Sequence, residues 1–540
     1  MNIQNNLYVN FTSKINSEKP LATNPLTFVP QKPDTFELSS KANVTSKQDE
    51  KFLGSISNIF NNIFNKGFDK ESKKIIKQDK LDLDKFKTLV SDMRINENDK
   101  ALLRRSPFEL TSYFGDKNCY TLYVAHDKEK SNLKLLDRNL NVLAQESETI
   151  KYSNDEPVSK TVMTNDFRTN TFTESKFKFD ESGYEIMTES VKIKRDKQNR
   201  LIRKEIYQKS DLPGVYNVKY EFPNGKIKQV SKATVDKKTG HVLIEKDMRS
   251  SDMTRTQFRY EDDPKGNRII DYKITSPDGE VLMKQSQSFE VLGRNKFRSS
   301  RNNKSYLIEH DSRNKVLKVI DEQEEMMSKI PLDGFYIMPE NDYYNEYKLQ
   351  KSEQKIANML KKIPGDELFN LAETTSQIKD IDDKLASYCD TRIENEDGKY
   401  VSLAKIATSD DPYIFLHELG HATDRGGKPV LISMNSNGKP EPKFYDSIRD
   451  DDNFNYLYHQ ERENFLKEFP VTERYYIDYF INNAPQNGRK NVGLSETVAE
   501  TNALLNTYPT EEVGGLRTQY LQQHFPKTIA YLSQRLTTTD

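Results

Sequence analysis

The chain has 540 residues, which is too long for one hydrophobic core and predicts three or four structural units. Its 82 lysine and arginine residues nearly balance its 83 aspartate and glutamate residues, so charge gives no overall attraction to nucleic acid or an anionic membrane. The two cysteines, Cys119 and Cys389, indicate neither a disulfide framework nor a thiolate zinc site.

The chain shows no sign of a membrane anchor or a classical export signal. No run of 18 apolar residues occurs, which predicts no transmembrane segment. Residues 1–30 lack the continuous apolar core of a Sec signal peptide. We expect a soluble protein that either stays in the cytoplasm or leaves by a non-classical or specialised route.

The N-terminal part divides into two predicted segments. Residues 1–50 are rich in Asn, Ser, Lys, Thr and Pro, which predicts a disordered arm. Residues 51–117 are predicted to be helical, because Phe and Ile recur on one helical stripe in FLGSISNIFNNIFNKGF. Packing of this helix on the next domain is favoured over docking on a membrane surface or a partner.

The middle of the chain, residues 118–322, changes to a period of two, which is typical of β-strands. Turn sequences recur, and alternate turns such as DESG at 180 and PNGK at 223 lie about 40 residues apart. This predicts an antiparallel β-rich domain with hairpin repeats of about 40 residues. Its many lysines and arginines favour a solvated sheet face over a surface that docks a polyanion or acidic partner.

Helical periodicity returns in residues 335–540, which predicts an α+β, mainly helical, C-terminal domain. Its most informative stretch is DDPYIFLHELGHATDRGG, residues 410–427. His417 and His421 are four residues apart, so on a helix they lie one turn apart and can bind one metal ion. Glu418 is then placed to reach a water on that ion. The alternative is a pair of ordinary histidines on a core-facing helix.

The ends of this helix are also marked in the sequence. Asp411 is a suitable N-cap and Pro412 suits the first turn. Gly426 and Gly427 predict a left-handed exit. The apolar side predicts a helix docked in a core, and it is formed by Ile414, Phe415, Leu416, Leu419 and Ala422.

A catalytic zinc usually has a third protein ligand and an open position. The stretch GLSETVAETNALL supplies Glu496 and Glu500, four residues apart on a second predicted helix with Ser495 as N-cap. We assign Glu496 as the third ligand and Glu500 as the carboxylate that accepts the spare N–H of a ligand histidine. The reverse assignment and a solvated helical face are the alternatives.

Three stretches, FLHELGHATD, ETVAE and FPKTIAYLSQRL, together resemble the catalytic domain of the anthrax lethal factor family of gluzincin peptidases. That family includes the Pro-Pro endopeptidases, and the resemblance covers only the C-terminal domain. It implies a zincin-type fold with one Zn²⁺ per chain and a brace for the metal helix. Carried over, these roles fall on His417, His421 and Glu496 as ligands, Glu418 as general base, Glu500 behind a ligand and Asp424 as brace.

One position departs from the family pattern. The family has a tyrosine seven residues before the glutamate ligand that donates to the developing oxyanion, whereas this chain has Arg489 there. The candidate donors are therefore Arg489, Tyr479 and Tyr476.

Two functions follow from these features. The leading hypothesis is a zinc endopeptidase that hydrolyses a protein or peptide bound in extended form along residues 399–407, if these form an edge strand. The alternative for this stretch is an ordinary sheet strand. The alternative is a toxin-like or effector-like β-repeat binding protein whose metallopeptidase-like domain is weak or inactive. The missing tyrosine and the size of the β-rich domain motivate the alternative.

Overall fold

A computed structural model of the chain gives the arrangement of its middle and C-terminal parts. The predicted disordered arm, residues 1–50, and the predicted helix that follows it lie outside the described residues. The structure describes residues 70–96, 98–105, 119–180, 183, 185–333, 336–337, 346–381, 387–396, 399–426, 429–434, 440–444, 447–468, 480, 492–509 and 512–537.

Two helices, α1 (Lys70–Gln78) and α2 (Leu83–Asp92), precede a large antiparallel sheet of 18 strands. Each strand pairs with the next strand in the chain, so the sheet is a continuous meander. The strands are β1 (Lys100–Arg105), β2 (Tyr120–Ala125), β3 (Lys130–Leu136), β4 (Val142–Ser153), β5 (Glu156–Asp166), β6 (Thr171–Phe179), β7 (Glu185–Arg195), β8 (Leu201–Lys209), β9 (Tyr216–Glu221), β10 (Ile227–Val235), β11 (Val242–Arg249), β12 (Arg255–Asp262), β13 (Arg268–Thr275), β14 (Val281–Gly293), β15 (Lys296–Arg301), β16 (Lys304–Asp311), β17 (Val316–Asp321) and β18 (Met327–Pro331).

The sequence forms this meander because apolar side chains alternate along its strands and turn residues separate them. In β13, Ile270, Tyr272 and Ile274 are buried on one face, as a period of two requires. The turn between β9 and β10 places Gly225 at a φ of +77°, a conformation that favours glycine. The predicted antiparallel β-rich middle is therefore confirmed.

The sheet is longer than predicted at both ends. Strand β1 lies inside the segment 51–117 that we predicted to be helical, and β18 ends beyond residue 322. Strand β1 has only six residues, which is too few to show a clear period, and it is held by its pairing with β2. Strand length varies from 5 residues in β18 to 13 in β14, and the 40-residue repeat stays a prediction.

The C-terminal region is mainly helical and contains two small sheets. In chain order its elements are β19 (Tyr336–Ile337), α3 (Glu346–Leu360), α4 (Gly365–Thr374), β20 (Thr375–Asp380), β21 (Tyr388–Glu396), β22 (Lys399–Thr408), α5 (Pro412–Arg425), β23 (Val430–Met434), β24 (Pro440–Phe444), a 3₁₀ turn (Ile448–Asp450), α6 (Asp452–Glu468), α7 (Val492–Asn506), α8 (Glu512–His524) and α9 (Pro526–Thr537).

The four-stranded sheet has the order β19-β20-β22-β21. Strands β19, β20 and β22 run parallel, and β21 is antiparallel to β22. The prediction that residues 399–407 form an edge strand is wrong for residues 404–407, which pair with both β20 and β21. Among the described residues, 399–403 pair with β21, and Val401 also forms an isolated bridge with Pro429. The hairpin between β21 and β22 places β21 at the edge instead.

The helices of the C-terminal region share their apolar cores with the large sheet. One core cluster joins sheet residues such as Ile244 and Ile274 to helix residues such as Val498 and Leu521. A second cluster joins sheet strands β14, β16, β17 and β18 to α3, α4 and α5. The helices that carry the predicted metal ligands therefore share apolar cores with the large sheet. None of the helices in the described part of the chain is long and apolar enough to cross a membrane.

Candidate metal centre

Helix α5 carries the two histidines, and its boundaries follow from local sequence. The Asp411 carboxylate accepts hydrogen bonds from the backbone N–H groups of Tyr413 and Ile414, at 2.7 and 3.3 Å. Pro412 occupies the first turn as predicted.

The left-handed exit predicted for this helix is wrong at Gly426, whose φ of −76° and ψ of 153° are extended; Gly427 lies outside the described residues. Glycine is needed at 426 for space instead. A Cβ there would lie 2.5 Å from the carbonyl oxygen of Thr374, which is backbone and cannot swing aside.

Three predicted ligand residues lie around one point. His417 and His421 of α5 and Glu496 of α7 offer ligand atoms that are all within 4.8 Å of one another. The Nε2 atoms of His417 and His421 lie 3.3 and 3.4 Å from Oε2 of Glu496. These three residues could hold a metal ion.

The surroundings of Glu496 fit a cation. Its Oε2 atom is buried and accepts no hydrogen bond from any described residue. Burial raises the pKa of Glu496, but the nearby His421 and His417 outweigh burial and hold that pKa below its usual range. A buried, ionised carboxylate oxygen without a donor is costly, and a metal ion would satisfy it. Two imidazole nitrogens and one carboxylate oxygen suit a divalent ion of the first transition series.

Glu500 lies behind the first histidine rather than among the three ligand atoms. Its Oε2 is 3.1 Å from Nδ1 of His417, and its Oε1 accepts a 2.8 Å hydrogen bond from the Tyr413 hydroxyl. The guanidinium of Arg517 approaches Oε2 at 3.7 Å. An N–H held on Nδ1 leaves the lone pair of Nε2 directed towards Glu496, as a ligand requires.

Glu418 is buried, with 5% of its surface exposed, and follows His417 in the chain. Burial raises its pKa above the usual value, while the neighbouring histidines oppose that rise. The backbone N–H of Cys389 in β21 hydrogen-bonds to its carboxylate. The edge strand of the four-stranded sheet therefore runs beside Glu418.

Asp424 lies near the end of α5, away from the three ligand atoms. It is fully buried and accepts hydrogen bonds from the Ser447 hydroxyl and the Arg449 backbone N–H, both at 3.0 Å. These bonds tie α5 to the segment that precedes α6. The oxyanion-donor candidates Arg489, Tyr479 and Tyr476 lie outside the described residues.

Three contributors to the centre were not predicted. Tyr413 could have been found, because it precedes His417 by four residues and so shares its helix face. Ser495 was expected to cap α7, but the helix begins earlier, at Val492, and the Ser495 hydroxyl lies 3.2 Å from Nδ1 of His421. Arg517 carries no local signal, since it comes from a different helix.

Helices α5 and α7 touch closely at Gly420. A Cβ at this position would lie 2.7 Å from the Cα of Ala499 and 2.9 Å from the Cβ of Asn502. The Asn502 amide also donates a 2.9 Å hydrogen bond to the carbonyl oxygen of Leu416. This contact fixes the separation of the helix with both histidines from the helix with Glu496.

Compared with known proteins, the chain matches no family model, no curated protein and no solved structure. The resemblance to the anthrax lethal factor family therefore stays a prediction. What the centre can do chemically follows from its own geometry: a cluster that could hold a metal ion, with a buried carboxylate, Glu418, next to a candidate ligand. A metal ion and an adjacent carboxylate are the elements that activate water for hydrolysis.

Proposed function

We propose that the protein is a zinc-dependent endopeptidase that binds one Zn²⁺ through His417, His421 and Glu496. The observation that carries the proposal is the convergence of both Nε2 atoms on the buried Oε2 of Glu496. Two histidines and one glutamate are a ligand set of catalytic zinc in peptidases, and a fourth position is left for water or substrate.

The residues around the ligands have defined tasks in this proposal. Bound zinc would supply a Lewis acid for activation of water and polarisation of the substrate carbonyl. Glu418 accepts the proton of the attacking water and then donates it to the nitrogen of the leaving amine. Burial raises the pKa of Glu418 and so makes its carboxylate a stronger base than an exposed glutamate, although the neighbouring histidines oppose the rise. Glu500 keeps the His417 proton on Nδ1.

The substrate is proposed to be a protein or peptide in extended form. Strand β21 is the last strand in the order of the four-stranded sheet, and an extended substrate is proposed to add to the sheet beside it. The backbone hydrogen bond from Cys389 to Glu418 places this edge next to the general base. The strand that receives the substrate is therefore β21, in place of the predicted strand at 399–407.

The test compares wild type with Glu418→Gln for zinc content and for cleavage of a mixed peptide library. We expect about one zinc per chain in both proteins and cleavage at least about a hundredfold slower in the variant. The control is Glu373→Gln, an exposed glutamate of α4, which should cut like wild type.

Equal cleavage by wild type and Glu418→Gln would contradict the proposed base, and absence of zinc from wild type would contradict the metal. If wild type holds zinc but cuts no peptide, the β-repeat binding protein becomes the better hypothesis.

A further inference from the structure

A buried polar cluster contacts both ligand helices. It consists of Glu367, Asn502, Asn506 and Arg301 and is here called the Glu367 network. Glu367 of α4 has only 2% of its surface exposed. Its carboxylate accepts hydrogen bonds from the side-chain amides of Asn506, at 3.0 Å, and Asn502, at 3.4 Å, both on α7. The network therefore binds α4 to the helix that carries Glu496.

The large sheet contributes the cation of this network. Arg301, the last residue of β15, is 5% exposed, and its Nη1 lies 2.7 Å from Asp366 and 3.6 Å from Glu367. Its Nη2 donates to the side-chain oxygens of Asn506 and Gln287. One guanidinium thus contacts a neighbouring strand, α4 and α7 together.

The network also reaches the helix that carries both histidines. The Asn502 amide that contacts Glu367 donates to the carbonyl oxygen of Leu416, the residue before His417. Gly420 leaves the space for this approach, because any Cβ there would meet Asn502. A chain of direct contacts therefore runs from Arg301 in the sheet to both ligand helices.

Stability alone is a poor reason for such a network. Burying an arginine with two carboxylates costs desolvation energy, and apolar side chains have no such penalty. Packed apolar residues would therefore stabilise the contact as well or better. Directional hydrogen bonds, unlike apolar contacts, fix the distance and angle between elements. A metal centre built on two helices needs that precision, because its ligands must be held within a fraction of an ångström.

We propose that Arg301 and Glu367 are positioning residues of the metal centre, and that through them the large sheet sets the separation of α5 and α7. This inference rests on the proposed zinc function. It gives the sheet a direct part in zinc binding. It also gives Arg301 a positioning role that is not proposed for the other arginines of the sheet.

The experiment measures the zinc affinity of the full chain by competition with a chelator, well below the unfolding temperature. We expect Arg301→Met to bind zinc at least about tenfold more weakly, while circular dichroism stays that of the folded protein. The matched control is Arg298→Met on the same strand, because Arg298 is 41% exposed and pairs with Glu322. This control should keep wild-type zinc affinity.

A second variant covers the case in which Arg301→Met does not fold. Glu367→Gln keeps the volume of the side chain and removes its charge, and we expect its zinc affinity to fall about threefold or more. Wild-type zinc affinity in a folded Arg301→Met, or in Glu367→Gln if the first variant does not fold, would overturn the positioning role and leave the proposed function intact. A wild-type chain that binds no zinc would overturn both.

Discussion

Both histidines of the candidate centre contact side chains outside the ligand set, His417 through Glu500 and His421 through Ser495. The Tyr413 hydroxyl and the Arg517 guanidinium both reach Glu500, which in turn contacts His417. Burial and these neighbours act in opposite directions on Glu500: burial raises its pKa, but Arg517 and His417 outweigh burial and hold the pKa below its usual value. An ionised Glu500 is what an N–H on Nδ1 of His417 requires.

The hydroxyl of Tyr413 can be tested by itself. We expect Tyr413→Phe to weaken zinc binding about tenfold, because Glu500 loses one donor and holds His417 less firmly. Chelator competition measures the change, and peptide cleavage should fall with it at limiting zinc. Tyr456→Phe is the control, because Tyr456 is 67% exposed on α6. Equal zinc affinity in the two variants would show that the hydroxyl does not position the ligand.

Gly420 sets the contact between the ligand helices, and a methyl group is enough to test it. We expect Gly420→Ala to lower the free energy of unfolding by about 1–3 kcal/mol, because the added Cβ meets the backbone of Ala499. Zinc affinity should fall as well, since α7 has to move away from α5. Urea unfolding and chelator competition measure the two effects.

Gly293 of β14 provides the comparison, because a Cβ there meets nothing within 4 Å. Gly293→Ala should change the unfolding free energy by less than about 0.5 kcal/mol. A Gly420→Ala chain as stable as Gly293→Ala would contradict the close approach.

At the scale of elements, the sequence predicts what depends on neighbouring residues. The start of α5 follows from Asp411 and Pro412, because capping is a local interaction. The position of β22 in the sheet could not be predicted, because an edge is defined by which strands pair at long range. Arg301 and Arg517 were unpredictable for the same reason: their partners are distant in sequence.

Helix α9 offers a pH-dependent test at this scale. Its N-terminus is capped by Glu461 of α6, which accepts 2.9 Å hydrogen bonds from the backbone N–H groups of Lys527 and Thr528. Burial raises the pKa of Glu461 from 4.5 to about 7, although these N–H groups oppose the rise. The folded protein therefore binds more protons than the unfolded chain between these two pH values.

The contribution of Glu461 to stability is fully present below pH 4.5 and is lost as pH rises through about 7. Relative to Glu461→Gln, wild type should lose up to about 3 kcal/mol of unfolding free energy between pH 4.5 and 8. Urea unfolding over a pH series gives this difference. Glu463→Gln, an exposed change on the same helix, should follow wild type at every pH. If the unfolding free energies of wild type and Glu461→Gln change in parallel with pH, the raised pKa of Glu461 is refuted.

At the scale of the whole molecule, the large sheet and the C-terminal helices meet in a closely packed interface, here called the joint. The Tyr260 and Tyr508 rings pack edge to face at 4.7 Å, and the Thr256 hydroxyl donates to the backbone carbonyl of Gln522. Gly515 of α8 lies against the backbone of Gly214 so closely that no side chain fits. The domain boundary expected near residue 335 from the change of hydrophobic period therefore does not separate two hydrophobic cores. Residues from both sides of this boundary pack in the same core clusters.

A C-terminal fragment should therefore fail as a separate enzyme. We expect residues 346–540, expressed alone, to bind zinc more weakly than the full chain does. The reason is that the core residues of α7, α8 and α9 lose the apolar sheet face that covers them. Chelator competition measures zinc, and binding of an apolar dye measures exposed core. Co-expression with residues 1–345 as a second chain is the control and should restore both, since the joint is non-covalent. A fragment that binds zinc as tightly as the full chain would show that the sheet is dispensable for the centre, and would require a separate role for its 18 strands.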